Sequence, residues 1–168
     1  MGQLSIARLW CCRNDEFNSR TSVFKHDDMN KDGTIIVIED DEDDQFILEQ
    51  VFRELAYTNE IIFFPDGQSA LDYLLGDIPP PFIILSDINL PKLDGLSLRK
   101  KLQTDTAINL RCIPYLYFTT ALNQQAVIEA YSSSAQGFFV KPAKFEDIRD
   151  TISLIVEYWK KCAAPNNF

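Results

Sequence analysis

Carboxylates gather where the short apolar runs of this chain stop. TIIVIE (34–39) runs into Glu39, Asp40 and Asp41, and the acids continue through Glu42, Asp43 and Asp44. PPPFIILSD (79–87) ends on Asp87, and IPYLYFTT (113–120) ends on Thr119 and Thr120. GFFV (137–140) is followed by Lys141 and Pro142. Three carboxylates with a carbonyl and waters make a hard oxygen site suited to Mg²⁺. A lysine and a hydroxyl beside them would neutralise and hydrogen-bond phosphoryl oxygens. Asp87 could then attack phosphorus and form an acyl phosphate.

Each residue also has a plainer reading. Acids at a helix start cap free N–H groups and meet the positive end of the helix, which accounts for Glu42 to Asp44. It does not account for Glu39 and Asp40, which belong to a strand end and repel each other unless a cation sits between them. Asp87 alone reads as a turn residue before Asn89 and Pro91. Lys141 alone reads as a solvated loop lysine, and Thr119 as a β-branched strand residue. The elements that position them decide between the two readings.

After Gly33 the chain alternates short apolar runs with amphipathic stretches. Strands are expected at 34–39, 60–64, within 79–87, at 113–120 and at 137–140; the prolines at 79–81 must precede the paired part of the third. Helices are expected at 43–57 with Phe46, Ile47, Val51, Phe52 and Leu55, and at 68–75 with Ala70, Leu71, Leu74 and Leu75. Further helices are expected at 95–103, at 123–134, and at 144–161 with Phe145, Ile148, Ile152, Ile155 and Trp159. Strands alternating with helices imply an α/β fold: a doubly wound, five-stranded parallel sheet with helices on both faces. Such a sheet places its site at the carboxyl ends of the strands, near the switch in strand order. All the candidate residues fall on that one rim.

Composition narrows the class. The chain has 168 residues, 46% hydrophobic and 24% charged, which fits a globular domain rather than a low-complexity one. No apolar run approaches the roughly 18 residues that span a bilayer. Residues 1–33 carry five basic and five acidic side chains, so the whole net charge of −9 falls after Gly33. An acidic body repels phosphate backbones, which argues against nucleic acid and for cations or basic protein surfaces. Cys11, Cys12, Cys112 and Cys162 have no zinc-type spacing and read as reduced thiols of a cytoplasmic protein. Residues 1–33 show no sustained period, no secretory signal and no myristoylation match, since position 6 is Ile6. The expectation is an N-terminal extension with Met29 as the natural start. The alternative is a short interaction or anchoring arm using Leu9, Trp10, Cys11 and Cys12. Residues 162–168 are expected to be a C-terminal tail.

VIEDD (37–41), IILSDINLPKLDG (83–95), the strand from Pro114 to Thr119 and GFFVKP (137–142) occur in an order and spacing that identify a family. Over residues 34–161 the chain resembles response-regulator receiver domains, the phosphoacceptor half of two-component signalling. The resemblance implies a CheY-like, flavodoxin-like (βα)5 fold. It implies Asp87 as the phosphorylated aspartate, Asp40 as a direct Mg²⁺ ligand, Glu39 as an acid acting through water, and the Asn89 backbone carbonyl as a further ligand. It implies Lys141 as the phosphoryl contact. Thr119 becomes the switch hydroxyl by its spacing from Pro114 and Lys141, with Thr120 a minor alternative. Phe138 becomes the switch aromatic, and Asn89 and Ala121 tune hydrolysis.

Three positions depart from the family's usual pattern. Phe138 lacks the hydroxyl of the frequent Tyr, Thr120 is bulkier than usual beside the switch residue, and Ser134 replaces a glycine that often ends the fourth helix. The implied function is a phosphoacceptor switch without an output domain, not a turnover enzyme. The implied partners are a sensor histidine kinase or phosphotransfer protein and a downstream protein, with no nucleic acid or membrane. Leu154 and Tyr158 form a second apolar pair off the core stripe of the last helix. It reads either as partial burial against the preceding loop or as a dimer or partner face. A homodimer through the helix 4–strand 5–helix 5 surface or the last helix is the related expectation. The Tyr158-Trp159 ending is similar to stand-alone receivers paired with phytochrome-type kinases. A pseudo-receiver is disfavoured because no phosphoryl or metal position is missing. A haloacid-dehalogenase-like phosphatase is disfavoured because Asn89 stands where a general-acid Asp is needed.

Overall fold

In the computed structural model, residues 30–104, 113–120 and 123–162 are described. Ala121, Met29, Cys11, Cys12 and Cys112 lie outside them, as do residues 1–29 of the expected 1–33 extension and residues 163–168 of the expected tail. Five strands and five helices alternate among the described residues. They are β1 (Ile35–Ile38), α1 (Glu42–Leu55), β2 (Ile61–Phe64), α2 (Gly67–Leu74), β3 (Ile83–Ser86), α3 (Gly95–Thr104), β4 (Tyr115–Thr119), α4 (Gln124–Ser132), β5 (Gly137–Val140) and α5 (Phe145–Lys161). The strands form one sheet in the order β2-β1-β3-β4-β5, with every pairing parallel. The expected doubly wound α/β sheet is therefore present.

The strands are short apolar runs because both faces are covered. Alternate residues point opposite ways. Ile36, Ile38, Ile84, Tyr115 and Tyr117 pack with α2, α3 and α4. Ile35, Val37, Ile83, Leu85, Leu116 and Phe118 pack with α1 and α5.

Two helix faces differ from the sequence expectation. In α1 the buried residues are Leu48, Val51 and Phe52, while Phe46 is exposed. At about 100° per residue, Phe46 lies well around the helix from the stripe that Leu48, Val51 and Phe52 share. Leu75, just past the end of α2, is likewise exposed. In α5, Leu154 and Tyr158 are 65% and 60% exposed, so the reading of partial burial against the preceding loop is not met. Val156 joins Ile148, Ile152 and Ile155 in the core instead.

The loop from Asp87 to Asp94 is clamped to the start of α2. Asp66 caps α2, accepting from Ser69 N–H at 2.8 Å, and its other oxygen meets Lys92 Nζ at 2.6 Å. Lys92 takes φ 61° to make that reach. A β-carbon on Gly67 would lie 2.1 Å from the Leu93 carbonyl oxygen, so loop and helix touch through backbone. The hydrogen bond from Lys92, and then that from the Ser69 amide, hold the Asp66 carboxyl down at about 2.

The clamp should be measurable in two ways. Gly67→Ala should lower the urea midpoint by the equivalent of about 1–3 kcal/mol, the usual cost of forcing an extra carbon into a packed site. A carboxyl depressed in the folded state stabilises the fold above its unfolded pKa of roughly 3.9. That contribution disappears as pH falls through about 2. The stability gap between the native chain and Asp66→Asn should therefore be full at neutral pH and narrow as pH is lowered below about 4; urea midpoints measured across that range check it.

Candidate functional site

Strand order brings the rim residues together. Leaving β1 in one direction for β2 and in the other for β3 opens a crevice above the carboxyl ends of β1 and β3. The Asp87 amide donates to the Ile38 carbonyl at 2.9 Å, and the Lys141 amide donates to the Thr119 carbonyl at 2.8 Å. Backbone hydrogen bonds thus align the strand exits at which Glu39, Asp87, Thr119 and Lys141 stand. Glu39, Thr119 and Asp87 are buried, while Asp40 is exposed at the rim.

Asp87 is held by its own loop and by β4. Its Oδ1 accepts from Thr119 Oγ1 at 2.5 Å, from Ile88 N–H at 2.5 Å and from Asn89 N–H at 3.3 Å. Its Oδ2 faces Lys141 Nζ at 3.2 Å. Thr119 rather than Thr120 therefore meets Asp87; Thr120 is exposed. Underneath, Ser86 Oγ donates to the Asp87 carbonyl at 2.7 Å. Gly95 packs so closely there that a β-carbon would lie 2.1 Å from the same carbonyl oxygen. The Tyr115 and Tyr117 hydroxyls both donate to the Gly95 carbonyl, at 3.1 and 3.3 Å.

Lys141 is the ammonium among these acids. Its side chain is 6% exposed and contacts Glu39, Asp44 and Asp87. Burial alone would lower its pKa. Hydrogen bonds to Asp44 and Glu39, with the charges of Glu39 and Asp87, outweigh burial and raise it above the usual lysine range. Burial raises Glu39 above the usual carboxylate range, against the pull of Lys141, and the Asp87 charge adds to the rise. Carboxylate oxygens of Glu39, Asp40 and Asp87 lie within 4.8 Å of one another. An all-oxygen donor set of that spread fits a hard divalent cation.

Phe138 is half-buried with its ring 6.0 Å from that of Tyr117. Ser134 takes φ 53° just past α4, the left-handed conformation that glycine would adopt with less strain. Its carbonyl accepts from Arg99 Nη2 at 2.9 Å, and the Ser133 carbonyl accepts from Gln103 Nε2 at 2.6 Å. Asn89 is exposed in the loop after Asp87. Beside Lys141 lies a cavity of about 300 Å³ between α1, the end of β4 and the segment leading into α5, lined in part by Asp44, Ile47, Phe118 and Thr120.

Two contributors are not evident from the sequence. Ser86 looks like an ordinary strand residue. Asp44 reads with the helix-start acids, yet the cap is made by Asp41, which accepts from Asp43 and Asp44 N–H. Nothing in its sequence position separates Asp44 from Glu42 and Asp43.

Comparison with known proteins gives the family. The model of the response regulator receiver domain matches residues 35–153. FilR2 of Methanothrix harundinacea, named a probable methanogenesis regulatory protein, is 33% identical over 129 residues, covering 74% of this chain and 82% of that one. Response regulator Rcp1 of Synechocystis is 27% identical over 138 residues, covering 79% of this chain and 92% of its own. The crystal structure of its Mn²⁺-bound form superposes with a TM-score of 0.69 at 26% identity, covering 78% of this chain and 96% of that one. Response regulator RPA3017, described in red light signaling of R. palustris, superposes with a TM-score of 0.71 at 31% identity, covering 79% and 96% of the two chains. With the matched model spanning well over half the sequence and a relative above 30% identity, the chain belongs to the response-regulator receiver domain family.

Proposed function

We propose that this protein is a cytoplasmic phosphoacceptor switch in which Asp87 receives a phosphoryl group from a histidine kinase or phosphotransfer protein. One observation carries the reading. A buried aspartate sits at the switch point, bonded to a hydroxyl and an ammonium and within 4.8 Å of two further carboxylates. Each partner has a task. An Asp87 carboxylate oxygen attacks phosphorus, and the bond from phosphorus to the donor's leaving atom breaks, the electron pair going with that atom. Lys141 offsets the phosphoryl charge, and Thr119 turns its hydroxyl from Asp87 to a phosphoryl oxygen. Glu39, Asp40, Asp87 and the Asn89 carbonyl would hold Mg²⁺, which when bound supplies charge neutralisation to the transferring group.

The switch is a population shift. A phosphoryl group adds charge and acceptor oxygens, and it favours whichever arrangement brings Thr119 and Lys141 to it. Thr119 ends β4, next to β5, so its movement reaches Phe138 and the α4-β5-α5 side. Ile128 and Tyr131 on α4, Val140 on β5, and Leu154 and Tyr158 on α5 are exposed apolar residues that support that side as the surface a downstream protein or a second copy would read. Such a protein is a regulator whose chemistry ends on itself rather than a turnover enzyme.

Intact mass after incubation with acetyl phosphate and Mg²⁺ should rise by one phosphoryl group, with no rise in EDTA or in Asp87→Asn. A folded native chain that gains no mass from acetyl phosphate or from a kinase would overturn the reading. Thr119→Ala should still take the group but lose the response. Beryllium trifluoride, a phosphoryl mimic, should shift amide resonances of α4, β5 and α5 in the native chain and leave them largely unmoved in the variant. Equal shifts in both would remove Thr119 from the switch.

A further inference from the structure

The ammonium of Lys141 has three protons to donate, and three carboxylates surround it. It contacts Glu39, lies 2.7 Å from Asp44 Oδ2, and is 3.2 Å from Asp87 Oδ2. Every proton already has an acceptor. A phosphoryl oxygen arriving on Asp87 must take the place of one of these acceptors, and if the ammonium stays on Asp87 as well, either Glu39 or Asp44 is given up. Glu39 is the costly one to abandon, because its side chain is 3% exposed and would keep only the Asp41 N–H, at 3.3 Å, as a partner. Asp44 is the cheap one: its side chain is 36% exposed, so water replaces the ammonium when it leaves.

We propose that Asp44 is a positioning residue that draws Lys141 aside in the unphosphorylated protein and is released when the phosphoryl group is bound. This rests on Asp87 being the phosphoacceptor. Asp44 then opposes phosphorylation by the strength of one half-exposed ion pair, and it sets how readily the site takes up the group. Linkage makes the effect measurable, because whatever holds one state only must weaken the ligand that selects the other.

Two measurements test it. In the free protein, the ¹⁵Nζ resonance of Lys141 should move in Asp44→Asn and stay in place in Asp43→Asn, which removes the same charge one residue away. With Mg²⁺ present, beryllium trifluoride should bind about two- to fivefold tighter to Asp44→Asn than to the native chain, the range expected for a partly exposed ion pair. Asp44→Glu, which keeps the charge and can still reach, should restore the native affinity. An unmoved Lys141 resonance would overturn the proposal. So would unchanged or weaker binding to Asp44→Asn, or equal tightening in Asp43→Asn, which would mark a general charge effect. Failure of the native chain to bind beryllium trifluoride would instead overturn the phosphoacceptor reading, and the proposal with it.

Discussion

One cation among buried acids is the constraint on which the rest of the site depends. Glu39 and Asp87 are nearly inaccessible to water, and Asp40 and Asp44 stand at the edge of the same pocket. Carboxylates this close cannot all stay charged in a dry pocket without a counter-charge. Among the described residues, Lys141 is the basic side chain that meets them. The same excess of negative charge that makes Lys141 necessary also makes the pocket receptive to a divalent ion. Cation binding and lysine placement are thus two answers to one electrostatic problem, and a change in either alters the demand on the other.

That cluster exists because of chain topology rather than local sequence. Glu39 and Lys141 are separated by 102 positions. Right-handed crossovers and the order β2-β1-β3-β4-β5 bring their strand ends onto one rim. The packing beneath is equally specific. The Gly95 backbone, the Ser86 hydroxyl and the two tyrosine hydroxyls meet around the Asp87 peptide without space for an added methyl. Asp87 stands on backbone that its neighbours already fix.

The alternation of apolar runs and amphipathic stretches makes the sheet legible without coordinates, because strands covered on both faces leave an unmistakable run of β-branched and aromatic residues. The rim residues are legible for the same reason, since each stands directly after one of those runs. Helix faces are less so. Phe46 and Leu75 are apolar, but apolarity alone does not place them on the buried face, and Phe46 lies well around α1 from it. Asp44 is hidden by a competing explanation, since acids at a helix start are expected for capping alone. The Lys92–Asp66 clamp is hidden by distance, since the two residues are 26 positions apart and each looks like ordinary turn chemistry.

The cavity beside Lys141 has a mechanical meaning. Close-packed protein interiors resist compression, so displacement is cheapest where atoms are missing. On the α2–α4 side, tyrosines and glycine backbone fill the ground under Asp87. On the α1–α5 side, about 300 Å³ lies open next to Lys141 and Asp44. The pocket is accordingly stiff toward one layer of helices and compliant toward the other. The side chains of Lys141 and Asp44 therefore have freedom that the backbone under Asp87 lacks.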